Sequence, residues 1–279
     1  MSVVKYAAIA GALLASVRLS AAEPAWPDAL DIDFNYRNSA LSGDTRRWDI
    51  RLGLGVEQEP TFQGSDKSET EADIFLVAAY RGDFGNVFFT GEGLGYSRLV
   101  TPSFGIQLNL EAEDTREVED DSRLEGLGNQ DEETELEIIG RYFAGPWQFG
   151  GSVALATGDK GVVWFVGGGY TARLANDRLF VNISADVSGS DETNQQTDFG
   201  ITAEQAANST FGYPEYSPGG GLKSYGLGMN ADYQLTDRWF LYGELDYERL
   251  LGDVADSPLV AMGGSETNIE AGIGFYYRF

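Results

Sequence analysis

The chain contains no cysteine and no histidine among its 279 residues. Without cysteine it has no disulfides, no thiolate metal sites and no cysteine nucleophile. Without histidine it lacks the commonest general base and the commonest ligand of transition metals. Basic residues are also scarce, since 19 Lys and Arg stand against 44 Asp and Glu, which gives a formal net charge of −25. This charge argues against binding to nucleic acid or to bare anionic surfaces.

Long apolar runs are scarce as well. At the N-terminus, Lys5 precedes an apolar stretch from Tyr6 to Val17 and small residues up to Ala22. This pattern predicts a signal peptide over residues 1–22, cleaved after Ala22. The alternative, a membrane anchor, needs about 20 apolar residues, and this stretch is shorter. No later stretch suits a membrane helix, so we expect residues 23–279 to form a single domain, either soluble and periplasmic or a closed membrane barrel.

Most of the remaining chain alternates between apolar and polar residues, which is typical of β-strands. The clearest segments are 30–37, 48–57, 104–111, 179–188, 225–235, 239–248 and 268–279, and weaker ones lie near 72–81, 86–99, 133–143, 147–157 and 162–174. Glycine is abundant and the mean hydropathy is −0.24, which suits a membrane barrel because only alternate residues face lipid. We therefore predict an all-β fold, a transmembrane antiparallel β-barrel of about 12 strands, with about ten as the alternative.

The final strand supports this prediction. Phe275, Tyr277 and Phe279 form one apolar face, and Phe279 is the last residue. Chain termini of soluble proteins usually fray, whereas a terminal aromatic on an apolar strand resembles the signal read by the barrel-insertion machinery. We therefore expect the protein in the outer membrane of a Gram-negative cell, in contact with lipid and lipopolysaccharide. The alternative is a soluble periplasmic barrel, whose apolar residues would face inward.

If the C-terminus lies in the periplasm, each loop can be assigned to one side of the membrane by counting strands back from that end. Short turns at 143–147, 174–178 and 235–238 would lie in the periplasm, and long segments at 114–132, 190–221 and 251–267 outside. With 12 strands of these bounds, residues 59–71 also fall in the periplasm, although that segment is long for that side. A ten-strand barrel or a misplaced early strand would remove the conflict.

Acidic residues form two groups that could carry chemistry. The tract from Glu111 to Glu137 could bind calcium or magnesium, but it lacks calcium-loop spacing, and a solvated surface loop is the favoured interpretation. Such a loop could also hold divalent ions against lipopolysaccharide phosphates. A second group is predicted to face inward on one strand and comprises Glu244, Asp246 and Glu248. These could give a pore cation preference, or could pair with arginines and plug the lumen, the candidates being Arg51, Arg141 and Arg278.

No catalytic constellation is identifiable, so we expect no enzyme and no cofactor. Asp253 and Asp256 could act as an acid and base pair, but carboxylates are abundant enough for such pairs to arise by chance. Ser257 has no histidine partner. In the long loop, Thr202 and Gln205 have capping-box spacing and predict a short helix, which serves either in loop packing or as a partner surface.

Several segments resemble the MipA/OmpV family. The resemblance is carried by Phe199–Ala207, Gly212–Tyr216, Gly219–Lys223 and Tyr247–Val260, and earlier by Leu52–Val56, Phe62–Asp66, Gly93–Tyr96 and Leu124–Gly128, with Phe62 where the family usually has tyrosine. It covers roughly residues 48–279. Within these motifs, the candidate partner or loop-packing residues are Phe199, Gly200, Thr202, Gln205, Leu251, Gly252, Asp253, Asp256, Ser257 and Pro258.

The resemblance implies a non-enzymatic outer-membrane scaffold that brings together the lytic transglycosylase MltA and a murein synthase of the penicillin-binding class. Other members are linked to adhesion, so a surface adhesin acting through residues 190–221 is one alternative. A small cation-preferring channel is the other. The predicted topology places the most specific motifs outside the cell, where a periplasmic enzyme would not reach them, so we favour a role for them in closing the barrel.

Overall fold

The computed structural model describes residues 47–90, 93–113, 116–130, 133–156, 158 and 160–279. The predicted signal peptide and the predicted strand at 30–37 lie outside these residues. Within them the chain forms one closed antiparallel barrel in which each strand pairs with its neighbours in sequence, and the last strand pairs with the first. The predicted fold class is confirmed.

The barrel has 12 strands in the described part of the chain. Their bounds are β1 Trp48–Pro60, β2 Ser68–Gly82, β3 Gly85–Phe89, β4 Gly93–Thr101, β5 Phe104–Glu113, β6 Glu133–Ala144, β7 Trp147–Ala156, β8 Val162–Leu174, β9 Leu179–Ser190, β10 Gly221–Gln234, β11 Trp239–Leu250 and β12 Thr267–Arg278. The described loops contain four short α-helices, α1 Glu192–Phe199, α2 Ala203–Asn208, α3 Gly252–Ala255 and α4 Pro258–Ala261, and a 3-10 helix at Ser122–Leu124. Among the described residues, no helix is long and apolar enough to cross a membrane.

The segment predicted as a single strand at 86–99 is instead the hairpin of β3 and β4. Phe89 pairs with Leu94, and the Thr90 N–H donates to the Gly93 carbonyl at 3.0 Å. The prediction was wrong here because only four residues separate Phe89 from Leu94, so the two short apolar segments resemble one strand in the sequence. The number of strands was predicted correctly, but this hairpin supplies the strand that was assigned to 30–37.

Because the hairpin adds a strand after residues 61–67 and replaces the one predicted before them, these residues lie at the opposite end of the barrel from the one predicted. Ser65 in this loop bridges to Gly264 in the loop between β11 and β12, so the expectation that this segment lies on the side of the short turns is wrong. We call the end that carries the long connections the loop end; they are 61–67, 114–132, 191–220 and 251–266. The opposite end carries Phe279 and short connections, and we call it the turn end; its connections are 83–84, 102–103, 145–146, 175–178 and 235–238.

The strands turn their apolar side chains outward. On β1, Leu52, Leu54 and Val56 are 42–48% exposed. Arg51, which directly precedes Leu52 and points to the opposite face, is 4% exposed. The other strands repeat this pattern, with outward Ile74 and Leu76 on β2 as an example. Keeping such a side chain in water instead of an apolar phase costs about 1.5–3 kcal/mol. The outer face is therefore one that lipid stabilises, and the soluble barrel with an apolar interior is ruled out.

Candidate functional site

The loop end carries a small folded unit, which we call the loop cap. It consists of residues 61–67, 116–130, 191–220 and 251–266. One apolar cluster draws side chains from all four segments and comprises Phe62, Leu124, Leu127, Ile201, Tyr213 and Leu259. Because these residues are far apart in sequence and all at most 5% exposed, the cap has a hydrophobic core of its own.

A second apolar cluster contains the motif residues that the sequence singled out. Phe199 at the end of α1 packs with Leu250, Val254 and Val260. The buried Ser257 hydroxyl donates to the Phe199 carbonyl at 2.7 Å. Pro258 begins α4, where its missing N–H costs no hydrogen bond, and it is buried as well. The structure thus brings the two most specific motifs together as packing elements.

The predicted capping box at Thr202 and Gln205 is confirmed. The Gln205 N–H donates to the Thr202 hydroxyl at 3.2 Å, and the Thr202 N–H donates to Gln205 Oε1 at 2.9 Å. Gln205 also donates through Nε2 to the Leu127 carbonyl at 2.8 Å. One side chain therefore both starts α2 and joins it to the segment 116–130.

The remaining motif residues lie where the cap meets β10 and at the ends of α1 and α3. Asp253 Oδ2 accepts from the Gly219 N–H at 2.8 Å, and its carbonyl accepts from the Tyr216 hydroxyl at 2.7 Å. Leu251 donates to the Lys223 carbonyl, and Gly252 follows with φ of +54°, which favours glycine. Two motif residues remain. Gly200 follows Phe199 at the end of α1 and is buried, and Asp256 follows the end of α3 and is exposed.

Arg123 is the charged centre of the cap, and sequence reasoning missed it. Its guanidinium binds Asp121 at 2.8 Å, Asp66 at 2.7 Å and the Ser65 hydroxyl at 2.9 Å, and it also donates to the Gly263 carbonyl. Three of the four cap segments meet at this one side chain. The available signal was that Arg123 is one of only two arginines within an otherwise acidic tract.

Asp121 corrects the interpretation of that tract as a solvated loop. Its side chain is fully buried and binds Arg123 and Lys67. Burial by itself would raise the pKa of Asp121, but hydrogen bonds from Arg123 and Lys67 outweigh burial and hold the pKa well below its usual range. No group of three or more acids in the described residues is arranged to hold a metal ion.

Two further cations anchor α1. The buried Arg116 donates to the Asp198 carbonyl at 2.7 Å, and Lys223 lies 3.7 Å from the Asp198 carboxylate. Burial lowers the pKa of Arg116 from its ordinary value. Lys223 also sits over the Phe199 ring at 5.6 Å. Together these contacts hold the 191–220 segment onto the barrel mouth.

The acids Glu244, Asp246 and Glu248 line the inner wall of β11. Their register pairs them with Gly272, Glu270 and Asn268 on β12. Glu248 accepts from Gln63 of the cap at 3.1 Å and from Asn268 at 3.1 Å. The inner wall towards the loop end carries further acids on other strands, among them Glu57, Glu71, Glu137 and Asp186.

Arginines gather on the inner wall towards the turn end. Asp49, which is 2% exposed, binds Arg51 at 3.2 Å, Arg81 at 2.8 Å and Arg278 at 2.8 Å. Two of the arginines considered as partners of the β11 acids, Arg51 and Arg278, thus make ion pairs with Asp49. The lumen is consequently polarised along its axis, acidic towards the loop end and basic towards the turn end.

Phe275, Tyr277 and Phe279 face outward on β12. Trp239 packs against Phe275 at 5.8 Å and Tyr277 at 5.1 Å between ring centroids. The Phe279 N–H donates to the Ile50 carbonyl at 2.9 Å. The terminal residue therefore takes part in joining the last strand to the first.

A family model described as "MltA-interacting protein MipA" matches residues 52–279, and the chain belongs to this family. The MltA-interacting protein of Escherichia coli (strain K12) is 26% identical over 228 residues, which cover 77% of this chain and 84% of the relative. The protein of the same name in Shigella flexneri matches equally.

Solved structures with a similar fold include outer-membrane channels. The CymD monoaromatic hydrocarbon channel covers 94% of this chain and 95% of its own length, with 9% identity and a TM-score of 0.44. OmpT of Vibrio cholerae covers 83% of this chain and 97% of its own length, with 12% identity and a TM-score of 0.36. Similarities at this level carry no functional argument.

Proposed function

We propose, from membership of the MipA family, that the chain is a non-enzymatic outer-membrane β-barrel that acts as a scaffold for murein-remodelling enzymes. The observation that carries this proposal is the family match over residues 52–279, which covers all 12 strands except the first four residues of β1. The name of the E. coli relative states an interaction with MltA, and the proposed partners are accordingly a lytic transglycosylase and, through it, a penicillin-binding murein synthase. The outward apolar face supports the membrane location.

We place the partner contact at the turn end. With the C-terminus in the periplasm, the turn end is the side that a periplasmic enzyme can reach. The specific motifs lie at the opposite end, and Phe199, Ser257 and Pro258 are buried there in cap packing. Their burial supports a role in closing the barrel mouth and leaves the exposed turns as the contact surface.

The absence of cysteine allows a direct test of this contact. Single cysteines can be placed at exposed Asp177 or Asp237 in the turns and, as matched controls, at exposed Glu204 or Glu215 in the cap. A thiol-linked photocrosslinker should capture the lytic transglycosylase of the same organism from the turn positions and not from the cap positions. If the enzyme is captured no more than by an unrelated barrel, the scaffold function is contradicted. If it is captured only from the cap positions, the placement of the contact at the turn end is contradicted.

The same cysteines report the orientation of the barrel. A membrane-impermeant thiol reagent on intact cells should label Glu204→Cys and leave Asp237→Cys unlabelled until the outer membrane is opened. The reverse pattern would place the loop cap in the periplasm and make the cap the partner surface.

A small cation-preferring channel is a second candidate, which the inward register of Glu244, Asp246 and Glu248 favours. Replacing all three by Gln should abolish cation preference in planar bilayers, while Glu266→Gln in an exposed loop should not. Glu248 also binds Gln63 of the cap, so its replacement would change both the lumen charge and a cap contact. The double variant Glu244→Gln, Asp246→Asn removes lumen charge and leaves that contact intact. A silent bilayer would contradict this candidate. Adhesion through residues 190–221 stays a prediction.

A further inference from the structure

Outward aromatic side chains at the turn end flank the junction of β12 and β1, with Trp239, Tyr277 and Phe279 on one side and Trp48 and Tyr80 on the other. Ring centroids lie 5.1 Å apart for Trp239 and Tyr277, 4.9 Å for Tyr277 and Phe279, and 5.0 Å for Trp48 and Tyr80. We call this group the seam aromatics. Such side chains favour the boundary between lipid tails and water, because their rings are apolar and the Tyr and Trp tips are polar.

Two of the seam tyrosines each carry an exposed arginine at the rim. Arg238 Nη1 donates to the Tyr277 hydroxyl at 2.7 Å, and Arg47 Nη1 donates to the Tyr80 hydroxyl at 3.3 Å. Since both tyrosines face outward, these guanidinium groups lie on the lipid side of the barrel wall at head-group depth.

Each of these arginines also has an exposed aspartate close by. Asp237 precedes Arg238 in the β10–β11 turn, and Asp83 lies in the turn after β2, two residues beyond Arg81, whose N–H donates to the Arg47 carbonyl at 2.7 Å. The same three groups, arginine, aspartate and outward tyrosine, therefore occur once on either side of the seam.

We propose that these two positions bind a phospholipid whose head group carries both a phosphate and a primary ammonium, as phosphatidylethanolamine does. The guanidinium fork fits the phosphate oxygens, the aspartate accepts from the ammonium, and the acyl chains lie against the aromatic rings. A purely anionic head group would be repelled by the aspartate, and a purely cationic one by the arginine.

The opposite side of the barrel offers an internal control. Trp147, Phe149 and Tyr170 also form an outward aromatic group, with Trp147 and Tyr170 4.8 Å apart. The adjoining turn is Gly145-Pro146, which carries no charged side chain. Trp147 should therefore sense lipid without selection by head group.

Arg178 offers a matched control substitution. It is exposed in a short turn and lies over the Tyr233 ring at 5.4 Å, as Arg238 lies over that of Tyr277. Its guanidinium, however, donates to the Gln234 and Leu235 carbonyls at 2.6–2.9 Å and so joins two turns. Removing it disturbs the turn that carries Asp237 and Arg238 but removes neither charge, so Arg178→Gln shows the effect of turn disturbance alone.

The test uses chains that retain one tryptophan, Trp239 or Trp147, in vesicles that contain brominated-chain phosphatidylethanolamine or phosphatidylcholine. Quenching should show a preference for phosphatidylethanolamine of about threefold at Trp239 and none at Trp147, as expected for an exposed ion contact. Arg238→Gln or Asp237→Asn should remove the preference, and Arg178→Gln should retain it. Trp48 with Arg47→Gln tests the second site in the same way.

Other results would overturn the proposal. Equal head-group preference at Trp239 and Trp147 would contradict it, and so would an equal preference for brominated phosphatidylglycerol, since that lipid lacks the ammonium. The proposal rests on the membrane location; an absence of quenching at both tryptophans would contradict that location instead. If a single-tryptophan chain fails to fold, native mass spectrometry of the full chain and its Arg47→Gln, Arg238→Gln variant measures the same lipid selection.

Discussion

The two ends of the barrel are built on different principles. The loop end carries four long segments that share an apolar core and a buried ion network around Arg123. The turn end carries short turns, and two exposed arginines there, Arg47 before β1 and Arg238 in the β10–β11 turn, bind outward tyrosines. The loop end is therefore a folded unit that needs its own stabilising contacts, whereas the turn end follows from the strands that it connects.

The difference also shows what the family motifs mark. Phe199, Ser257 and Pro258 belong to the most recognisable segments, and all three are buried in the cap. A motif that recognises a partner needs accessible side chains, and these residues instead contact each other. We interpret the motifs as elements of cap packing, and variants of the cap can be used to separate cap packing from partner binding.

The largest expected effect is that of Phe199→Ala. Removing a ring buried among Leu250, Val254 and Val260 should destabilise the cap by about 3–5 kcal/mol through lost contacts and a cavity. Hydrogen exchange should then quicken in 191–220 and 251–266 while the strands stay protected. Phe211→Ala, at an exposed ring of the same loop, is the control and should change exchange little. Unfolding of the strands together with the cap would show that the two are not separate units.

Arg123→Met should have the next largest effect. It leaves Asp121 buried with much of its compensating charge lost, and breaking such a pair costs about 3 kcal/mol. Limited proteolysis should cleave within 116–130 in the variant and not in the parent. The matched change Arg249→Met breaks an exposed pair with Glu266 and should cost at most about 1 kcal/mol. Equal sensitivity of the two variants would refute the assignment of Arg123 as the centre of the cap.

Thr202→Ala removes one half of the capping box and should cost about 1 kcal/mol. The effect should be confined to exchange rates in α2 and in the segment 116–130, because Gln205 joins the two. Thr236→Ala, which removes a hydroxyl that accepts from the Trp239 N–H in a short turn, is the turn-end counterpart. Cap loosening by Thr236→Ala would argue that the two ends are coupled.

The smallest expected effect is a pH dependence of the cap. The pKa of Asp121 is lower in the folded cap than the ordinary value of about 3.9. The stability that its ionised form contributes is therefore complete above that value and is lost as pH falls below it towards the folded pKa. Pepsin digestion between about pH 4.5 and 2.5 should cut the cap progressively faster, and Asp121→Asn should remove the pH dependence. The same pH profile in Asp121→Asn would assign the transition to another group.

Much of the barrel follows from local pattern. Alternation along β1, β11 and β12 correctly indicates which side chains face outward, because successive residues of a strand point to opposite faces. The capping box at Thr202 was equally predictable, since its partner lies three residues away. Alternation failed at the hairpin of β3 and β4, where the outward positions change from odd, as at Val87, to even, as at Leu94, within a stretch too short to stand out as a loop.

The candidate site was predictable only in part. Phe199 and Ser257 were selected as motif residues, but their mutual contact spans 58 positions of sequence. Arg123 was not selected, because its partners Ser65 and Gly263 come from loops that adjoin only after β1 meets β12. Contacts of this kind have no spacing rule that sequence reasoning can use.

The sequence alone determined the fold class, the outward faces of the strands and the polarity of the surface that meets lipid, because each depends on residues one or two positions apart. Only the tertiary structure decided which end carries residues 61–67, which loops form the cap, and which charges are buried at Asp121 and Asp49. The physical reason is barrel closure, which brings the first and last strands together and turns distant loop residues into neighbours.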